Sequence, residues 1–377
     1  MHRKPEQGPR ILFFSGGSAI RRLSRRLIRY THNSIHIITP FDSGGSSATL
    51  RHAFGMPAVG DLRNRLLALA DPSSEGHPGM CRLATYRFDH SGSPDQLRGF
   101  LEAMCLAQDA RVSRLPSPQK TLACLNLRAF KDAMPEDFDL RGASIGNLII
   151  TGSWLRHGRQ LDPALREFTR MIGARGTVRP VVEGDFHLAA ALEDGSIVRC
   201  QHRITGNEAG SIASPIRTIW ITDDRQGGSA IHPTIDDATS DLIAGADLIC
   251  YPPGSFYTSV LVNLLPKGVS TAIARAPCHK VYLPALGHDS EALGLGVFDA
   301  ATRLVQTLED GLQTHVHPSR LLDRVIVDTT RGEYAAPVRA EPFQRLGIGL
   351  IDIPLLSDDS APLIDERLAI DGLLSLI

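Results

Sequence analysis

The sequence predicts an α/β fold: a doubly wound, mostly parallel, Rossmann-like sheet with an antiparallel excursion and a helical insert. Three observations carry this reading. Short apolar runs of strand length alternate with segments of helical spacing along most of the 377 residues. The chain opens on "RILFF", "SGGSAI", an arginine-rich helical stretch and "IHIIT". That order is strand, glycine turn, helix, strand, and it requires a parallel pair with a right-handed crossover. Farther on, "FHLAAALEDGSIVRC" sets an "EDG" turn between apolar runs, the mark of a hairpin inside the parallel order.

The elements follow in turn. Arg10 to Phe14 is a buried strand. Ile20, Leu23, Leu27 and Ile28 fall at helical spacing between Arg21, Arg22, Arg25, Arg26 and Arg29. That arginine helix reads either as the wet face of a surface helix or as a basic patch for phosphates. Ile35 to Thr39 is the second strand, and the glycine- and serine-rich stretch from Pro40 is a loop. Asp61 to Ala70 is a helix on the spacing of Leu62, Leu66, Leu67 and Leu69, with Asp61 a candidate N-cap. Residues 72–140 read as a helical insert or cap, with pieces such as Gln96 to Ala107 between polar loops. Leu161 to Gly173 is an amphipathic helix with Pro163 in its first turn. Arg217 to Ile221 is a strand and Pro233 to Ala244 a helix. Asp247 to Tyr251 is a strand that runs into "PPGSFYTS", and Thr258 to Leu265 is helical. Lys280 to Leu283, Arg324 to Asp328 and Ile348 to Ile353 are strands, and Glu366 to Ile377 is a last amphipathic helix. The whole, 1–377, reads as one domain around its insert.

Composition narrows the function. A net charge of −1 gives no general argument for a nucleic-acid or membrane partner. The six cysteines form no CxxC pair, and a chain of this length needs no disulfide framework, so a reducing compartment fits. Met1 to Arg10 is too polar for a signal peptide, and no apolar run approaches ~18 residues, the length of a membrane span. The expectation is a cytoplasmic protein.

Ligands of doubly wound folds bind at the carboxyl ends of strands, where this sequence has three glycine-containing loops. Gly16, Gly17 and Ser18 follow the first strand; their amides suit either an anion or a tight turn. Asp42, Gly44, Gly45, Ser46 and Ser47 follow the second. Asp42 and Asp61, if they meet, suit a Mg²⁺, which needs one or two carboxylates plus substrate phosphates. The other reading makes Asp42 a turn residue and Asp61 a helix cap. Gly254, Ser255, Tyr257 and Thr258 open a hydroxyl-lined helix start, suited to a phosphate or sugar or simply capped. Asn147, in "IGN", either reads a base or ribose edge or closes a turn. His315 and His317 read as a structural pair, and no GxSxG elbow is present.

Taken in order, these segments resemble the CofD-like family, which includes 2-phospho-L-lactate transferases and gluconeogenesis factors of the YvcK type. "SGGSAI", "FDSGGSSATLR", "GDLRN", "RGASIGNLI" and "ADLICYPPGSFYTSVLVNLL" are each similar to a family segment, and together they cover nearly the whole chain. The transferase branch implies a nucleotide-diphosphate donor, Mg²⁺ at Asp42 and Asp61, and transfer of a phosphate-linked lactyl group to a deazaflavin in cofactor biosynthesis. Release of a nucleoside monophosphate follows, with no flavin or NAD cofactor. The regulatory branch implies nucleotide or UDP-sugar binding without established chemistry. Ligand contacts would include Arg63 and Asn64 of "GDLRN" beside the loop residues above, and the family tends to homo-oligomers. The sequence departs from the family pattern in three places. Ser43 stands where a second acid is usual, the loop reads Pro252-Pro253-Gly254-Ser255, and an expected Asn is Pro284 or Ala285. His288, Asp289 and Glu291 are the polar residues near that last change. The departures resemble a divergent subgroup.

Overall fold

The computed structural model describes residues 4–74, 77–206, 212–287 and 289–377. Its strands are β1 (Ile11–Ser15), β2 (Ile35–Ile38), β3 (Thr177–Pro180), β4 (His187–Leu192), β5 (Ile197–Arg199) and β6 (Ile216–Thr222). After them come β7 (Leu248–Tyr251), β8 (His279–Tyr282), β9 (Arg324–Val327) and β10 (Gly349–Asp352). Seven form one sheet in the order β10-β9-β8-β7-β1-β2-β3, and every pairing in it is parallel. The other three form an antiparallel sheet in the order β5-β4-β6, the excursion signalled by "EDG".

Continuous apolar runs make the central strands because both faces of a parallel sheet are covered. In β1, Leu12 and Phe14 enter one core cluster with the small sheet and the helix Val297–Asp310. Ile11 and Phe13 enter the opposite cluster with Leu23 and Leu27 of the helix Arg21–Leu27 and Ile370 and Leu373 of the helix Glu366–Leu374. The arginines of that first helix therefore lie outward: Arg21, Arg22 and Arg25 are exposed. A third core cluster is mostly helical, and it joins the helices of residues 77–133 to Gly60–Ala68, Ile145–Arg156 and Leu161–Ile172.

Four elements differ from expectation. The stretch after β2 expected as loop is a helix from Gly45 to Phe54. Leu50 and Phe54, one turn apart, bury into the helical core and drive it; its glycine–serine first turn hides the pattern. Asp61 is not an N-cap, since the helix Gly60–Ala68 is preceded by Val59 and Asp61 lies inside its first turn. The helix expected from Pro233 begins at Asp237, where the Asp236 carboxylate caps the Thr239 amide at 2.7 Å. The segment expected as helix from Thr258 is a π turn, Phe256–Val260, followed by a 3₁₀ turn, Leu261–Leu264. Among the described residues, no helix is long and apolar enough to cross a membrane.

Candidate functional site

Strand order reverses between β1 and β7, and the crevice outside the carboxyl ends of strands at such a point is where open α/β sheets bind ligands. A cleft of about 500 Å³ lies on this edge. It is lined by Asp42, Gly44, Gly45, Ser46, Ser47, Arg63, Asn64 and Asn147, which the sequence singled out, and by Thr49, Gly60, Arg87, His90, Arg141, Gly142, Gln201 and His202, which it did not.

The donor side of the cleft is the start of the helix Gly45–Phe54. Gly45 has φ +43°, a conformation that side chains disfavour, and open space beyond its α-carbon. The first amides of a helix have no intrahelical acceptor, so Gly45, Ser46 and Ser47 bring the positive end of the helix dipole to the wall of the cleft. Asp42 accepts the Gly44 amide at 3.0 Å, so it is both a turn residue and a wall of the cleft.

Arg63 is buried and built into a polar network. Its guanidinium donates to Ser144 Oγ, to Asn147 Oδ1 at 2.9 Å and to Asn64 Oδ1 at 2.8 Å. Asn147 in turn donates to Ser46 Oγ at 3.3 Å. Burial, then the nearby Arg87 charge, lowers the Arg63 pKa to about 10, with Asp61 and Asp42 opposing. Arg87 is exposed and donates to the Gly142 carbonyl at 3.0 Å, while Arg141 forks onto Asp139. Arg51, 2% exposed, braces the turn from beneath: it donates to the Phe41 and Asp42 carbonyls at 3.3 and 3.2 Å and pairs with Asp185 at 2.7 Å.

Asp61 lies one layer deeper. A β-carbon on Gly17 would fall 2.6 Å from Asp61 Cγ, so only a glycine admits the carboxylate there. The Gly17 amide donates to Asp61. Gly16 closes the same turn: its carbonyl accepts from the fully buried Arg65 at 2.9 Å. A β-carbon on Gly60 would lie 3.2 Å from Asp42 Oδ2, which brings the second acid to the same corner. Burial first and the Asp42 charge second push the Asp61 carboxyl up to about 7, against the Gly17 amide, Arg65 and Arg63. Two like charges at one corner are a donor set that a divalent cation relieves. Among the described residues no group of three or more His, Cys, Asp or Glu forms a fuller metal site, so the fit is to Mg²⁺ completed by phosphate oxygens.

Ser43 turns toward His202. Its hydroxyl oxygen accepts the His202 amide at 3.2 Å and meets the ring Nδ1 at 2.8 Å. The remaining loop behaves differently from the other two. The Phe256 amide donates to Asp289 at 2.8 Å, and the amide and hydroxyl of Thr258 both go to Glu291. Tyr257 donates its hydroxyl to the Ile216 carbonyl at 3.1 Å. The chain's own carboxylates thus occupy the donors of Phe256 and Thr258, and Gly254 lines a separate cavity. Ser18 is exposed beyond the first turn, and Ser255 precedes the π turn without capping it. His288 lies outside the described residues. The polar role considered for Asp289 and Glu291 is thus one toward the chain itself.

Arg87, His90, Arg141 and His202 carry no motif. They come from the helical segment and its exit and from the turn after β5, and their placement is a long-range matter. A weak signal existed for Arg141, which opens "RGASIGN".

The profile of the CofD family, 2-phospho-L-lactate transferase, matches residues 11–356. The gluconeogenesis factor of Bacillus subtilis is 29% identical over 283 residues, covering 74% of this chain and 68% of that protein. A putative gluconeogenesis factor from Thermoanaerobacterium thermosulfurigenes is 27% identical over 365 residues, covering 93% and 91%. A crystal structure of a UPF0052 family member from Bacillus halodurans superposes with a TM-score of 0.70 at 23% identity, over 97% of this chain and 99% of that one, a likeness of fold. With the profile spanning nearly its whole length, the chain belongs to the CofD family.

Proposed function

We propose that the cleft binds the diphosphate of a nucleotide-linked ligand and that the chain transfers a phosphate-linked group from it, as a 2-phospho-L-lactate transferase does. The observation that carries this reading is the meeting of Asp42, three arginines and one helix start at a single cleft, with Asp61 one layer behind Asp42. Arg87 offers a planar guanidinium to phosphate oxygens, and Arg63 and Arg141, bonded to Asn64, Asn147 and Asp139, add positive charge beside it. Asp42 and Asp61 are the residues that would hold Mg²⁺, and the chemistry it supplies when bound is neutralisation of diphosphate charge.

In the transfer, an acceptor hydroxyl oxygen bonds to the distal phosphorus. The bond from that phosphorus to the bridging oxygen breaks, and the nucleoside monophosphate leaves with the electron pair. The hydroxyl proton passes to a carboxylate of the pair. Positioning and electrostatic stabilisation do the work, and no covalent intermediate on the chain is needed. A deazaflavin is the acceptor that the family's transferases suggest.

A second reading is a nucleotide or UDP-sugar binding regulator with no turnover. It is favoured by Ser43, given to His202 where a second acid is usual, and by relatives named gluconeogenesis factors. Calorimetric titration with GDP, UDP and UDP-sugars, with and without Mg²⁺, joined to mass spectrometry of the products, separates the two. Mg²⁺-dependent binding with release of a nucleoside monophosphate, lost in Asp42→Asn, supports transfer. Tight metal-independent binding with no product supports the regulator.

A further inference from the structure

Of the described residues that line the phosphate cleft, only Gln201 and His202 lie beyond Asn147 in the chain. They sit on the short helical turn Gln201–Ile204, which follows β5. This turn is held from several sides. It is entered through Cys200, whose φ of +71° is a left-handed conformation that side chains disfavour. Such a residue persists where its surroundings over-determine it. The Cys200 amide donates to the Leu188 carbonyl of β4 at 2.8 Å. Thr205 Oγ1 donates to the His202 carbonyl at 3.0 Å, and Ser290 Oγ donates to the Thr205 carbonyl at 3.1 Å. The backbone of His202 is thus fixed at the cleft wall by the small sheet and by the loop that carries Ser290.

Ser43 fixes the ring as well. Cys200 stands at the cap position of the turn and makes no side-chain cap. Ser43, 159 residues away in sequence, supplies one: its oxygen accepts the His202 amide at 3.2 Å. The same oxygen lies 2.8 Å from the His202 ring Nδ1. A hydroxyl has a single proton, and among the described residues Nδ1 is the acceptor within its reach. The hydroxyl therefore donates to Nδ1, which must be the nitrogen without a proton. The reverse, with Nδ1–H donating to Ser43, leaves the hydroxyl proton without a described acceptor.

In a neutral imidazole the proton then sits on Nε2. That nitrogen hydrogen-bonds to no described residue, on a ring that lines the cleft. A ring held this way offers the cleft a donor and no acceptor. It complements a phosphate oxygen. It is unsuited to take a proton from an attacking hydroxyl at Nε2, so it leaves that task to the carboxylates. A carboxylate at position 43 would do the opposite: it only accepts, so it would draw a proton onto Nδ1.

We propose that Ser43 is a positioning residue that holds His202 in its Nε2–H form, and that His202 thereby donates to a phosphate oxygen of the ligand in the cleft. The inference rests on the phosphate-binding reading of that cleft. It is tested first by long-range ¹H–¹⁵N correlation spectra of the histidine side chains in the full chain at about pH 8. The His202→Gln variant identifies the His202 signals among the 14 histidines. The expected spectrum has a protonated Nε2 and an unprotonated Nδ1. Ser43→Ala should give a mixture of the two forms, and Ser43→Asp should place a proton on Nδ1. Inorganic pyrophosphate with Mg²⁺ should shift the Nε2 signal of the unaltered chain, which a purely structural ring would not show. Calorimetry supplies the second readout, with thermal melts confirming that each variant folds. His202→Ala should lose about three- to tenfold in pyrophosphate affinity, on the order of one hydrogen bond. His202→Gln, whose amide nitrogen stands near the place of Nε2, should keep most of it. A proton on Nδ1 in the unaltered chain overturns the inference. So does an Nε2 signal unmoved by saturating pyrophosphate; if Arg87→Ala still weakens binding, the phosphate reading stands without His202. Failure of pyrophosphate to bind the unaltered chain overturns both.

Discussion

Replacing Asp61 with Asn should stabilise the protein at neutral and alkaline pH and leave it nearly unchanged in acid. Folding raises the Asp61 pKa from an ordinary 3.8 to about 7, through burial first and the Asp42 charge second. The folded chain therefore holds the proton more tightly than the unfolded one. The stability this contributes is fully present below pH 3.8 and is lost as the pH climbs through about 7. The span is about 3 pH units, at about 1.4 kcal/mol each, giving an upper limit of about 4 kcal/mol. Sharing of the charge with Asp42 and residual solvent reduce it to about 2 kcal/mol. Unfolding entropy for 377 residues is about 0.8 kcal/mol/K, so the expected gain in Tm is about 2–5 °C at pH 8. An asparagine has nearly the same shape as the carboxyl and keeps an acceptor for the Gly17 amide, so the test isolates charge. Thermal melts of both proteins from pH 4 to pH 8 should nearly coincide at the acid end and diverge steadily above it. Millimolar Mg²⁺ at pH 8 should raise the Tm of the native protein and not of the variant. A variant no more stable than the native protein at pH 8, or a gain independent of pH, would refute the repulsion argument.

Three further outcomes follow from the same geometry. Arg87→Ala should leave the urea midpoint unchanged, because the side chain is exposed, and weaken diphosphate binding about tenfold by calorimetry. Gly17→Ala should destabilise by about 1–3 kcal/mol, since its methyl would meet the Asp61 carboxyl, and Asp61→Gly in the same chain should recover part of that loss in urea melts. Arg51→Met should cost about 2–4 kcal/mol in urea, because it strands the Phe41 and Asp42 carbonyls and Asp185 together.

Much of the fold is legible one segment at a time. The central strands β1, β2 and β7 are short, largely apolar and fully buried runs because both sheet faces are covered, and such runs survive as local pattern. The hairpin of β4 and β5 is legible for the same reason, since its turn chemistry is local. The helix Gly45–Phe54 was hidden because its two anchors, Leu50 and Phe54, acquire meaning only against a helical core built from residues far along the chain.

The glycine loops were visible in the sequence, but how their amides are used was not. Three turns with similar composition have three different fates. The Gly17 amide holds Asp61, Gly45 to Ser47 open a helix in the wall of the cleft, and the amides of Phe256 and Thr258 are held by Asp289 and Glu291. The sequence by itself determined the α/β alternation, the family pattern and which loops end at the ligand edge of the sheet. The tertiary structure alone decided which acid is buried and which amide remains free. It also decided that Arg87, His90 and His202, from segments without a motif, line one cleft with Asp42. The physical reason is that strands and turns follow from short-range periodicity and backbone preference. Burial, charge proximity and competition for a donor depend on which distant segments the fold brings together.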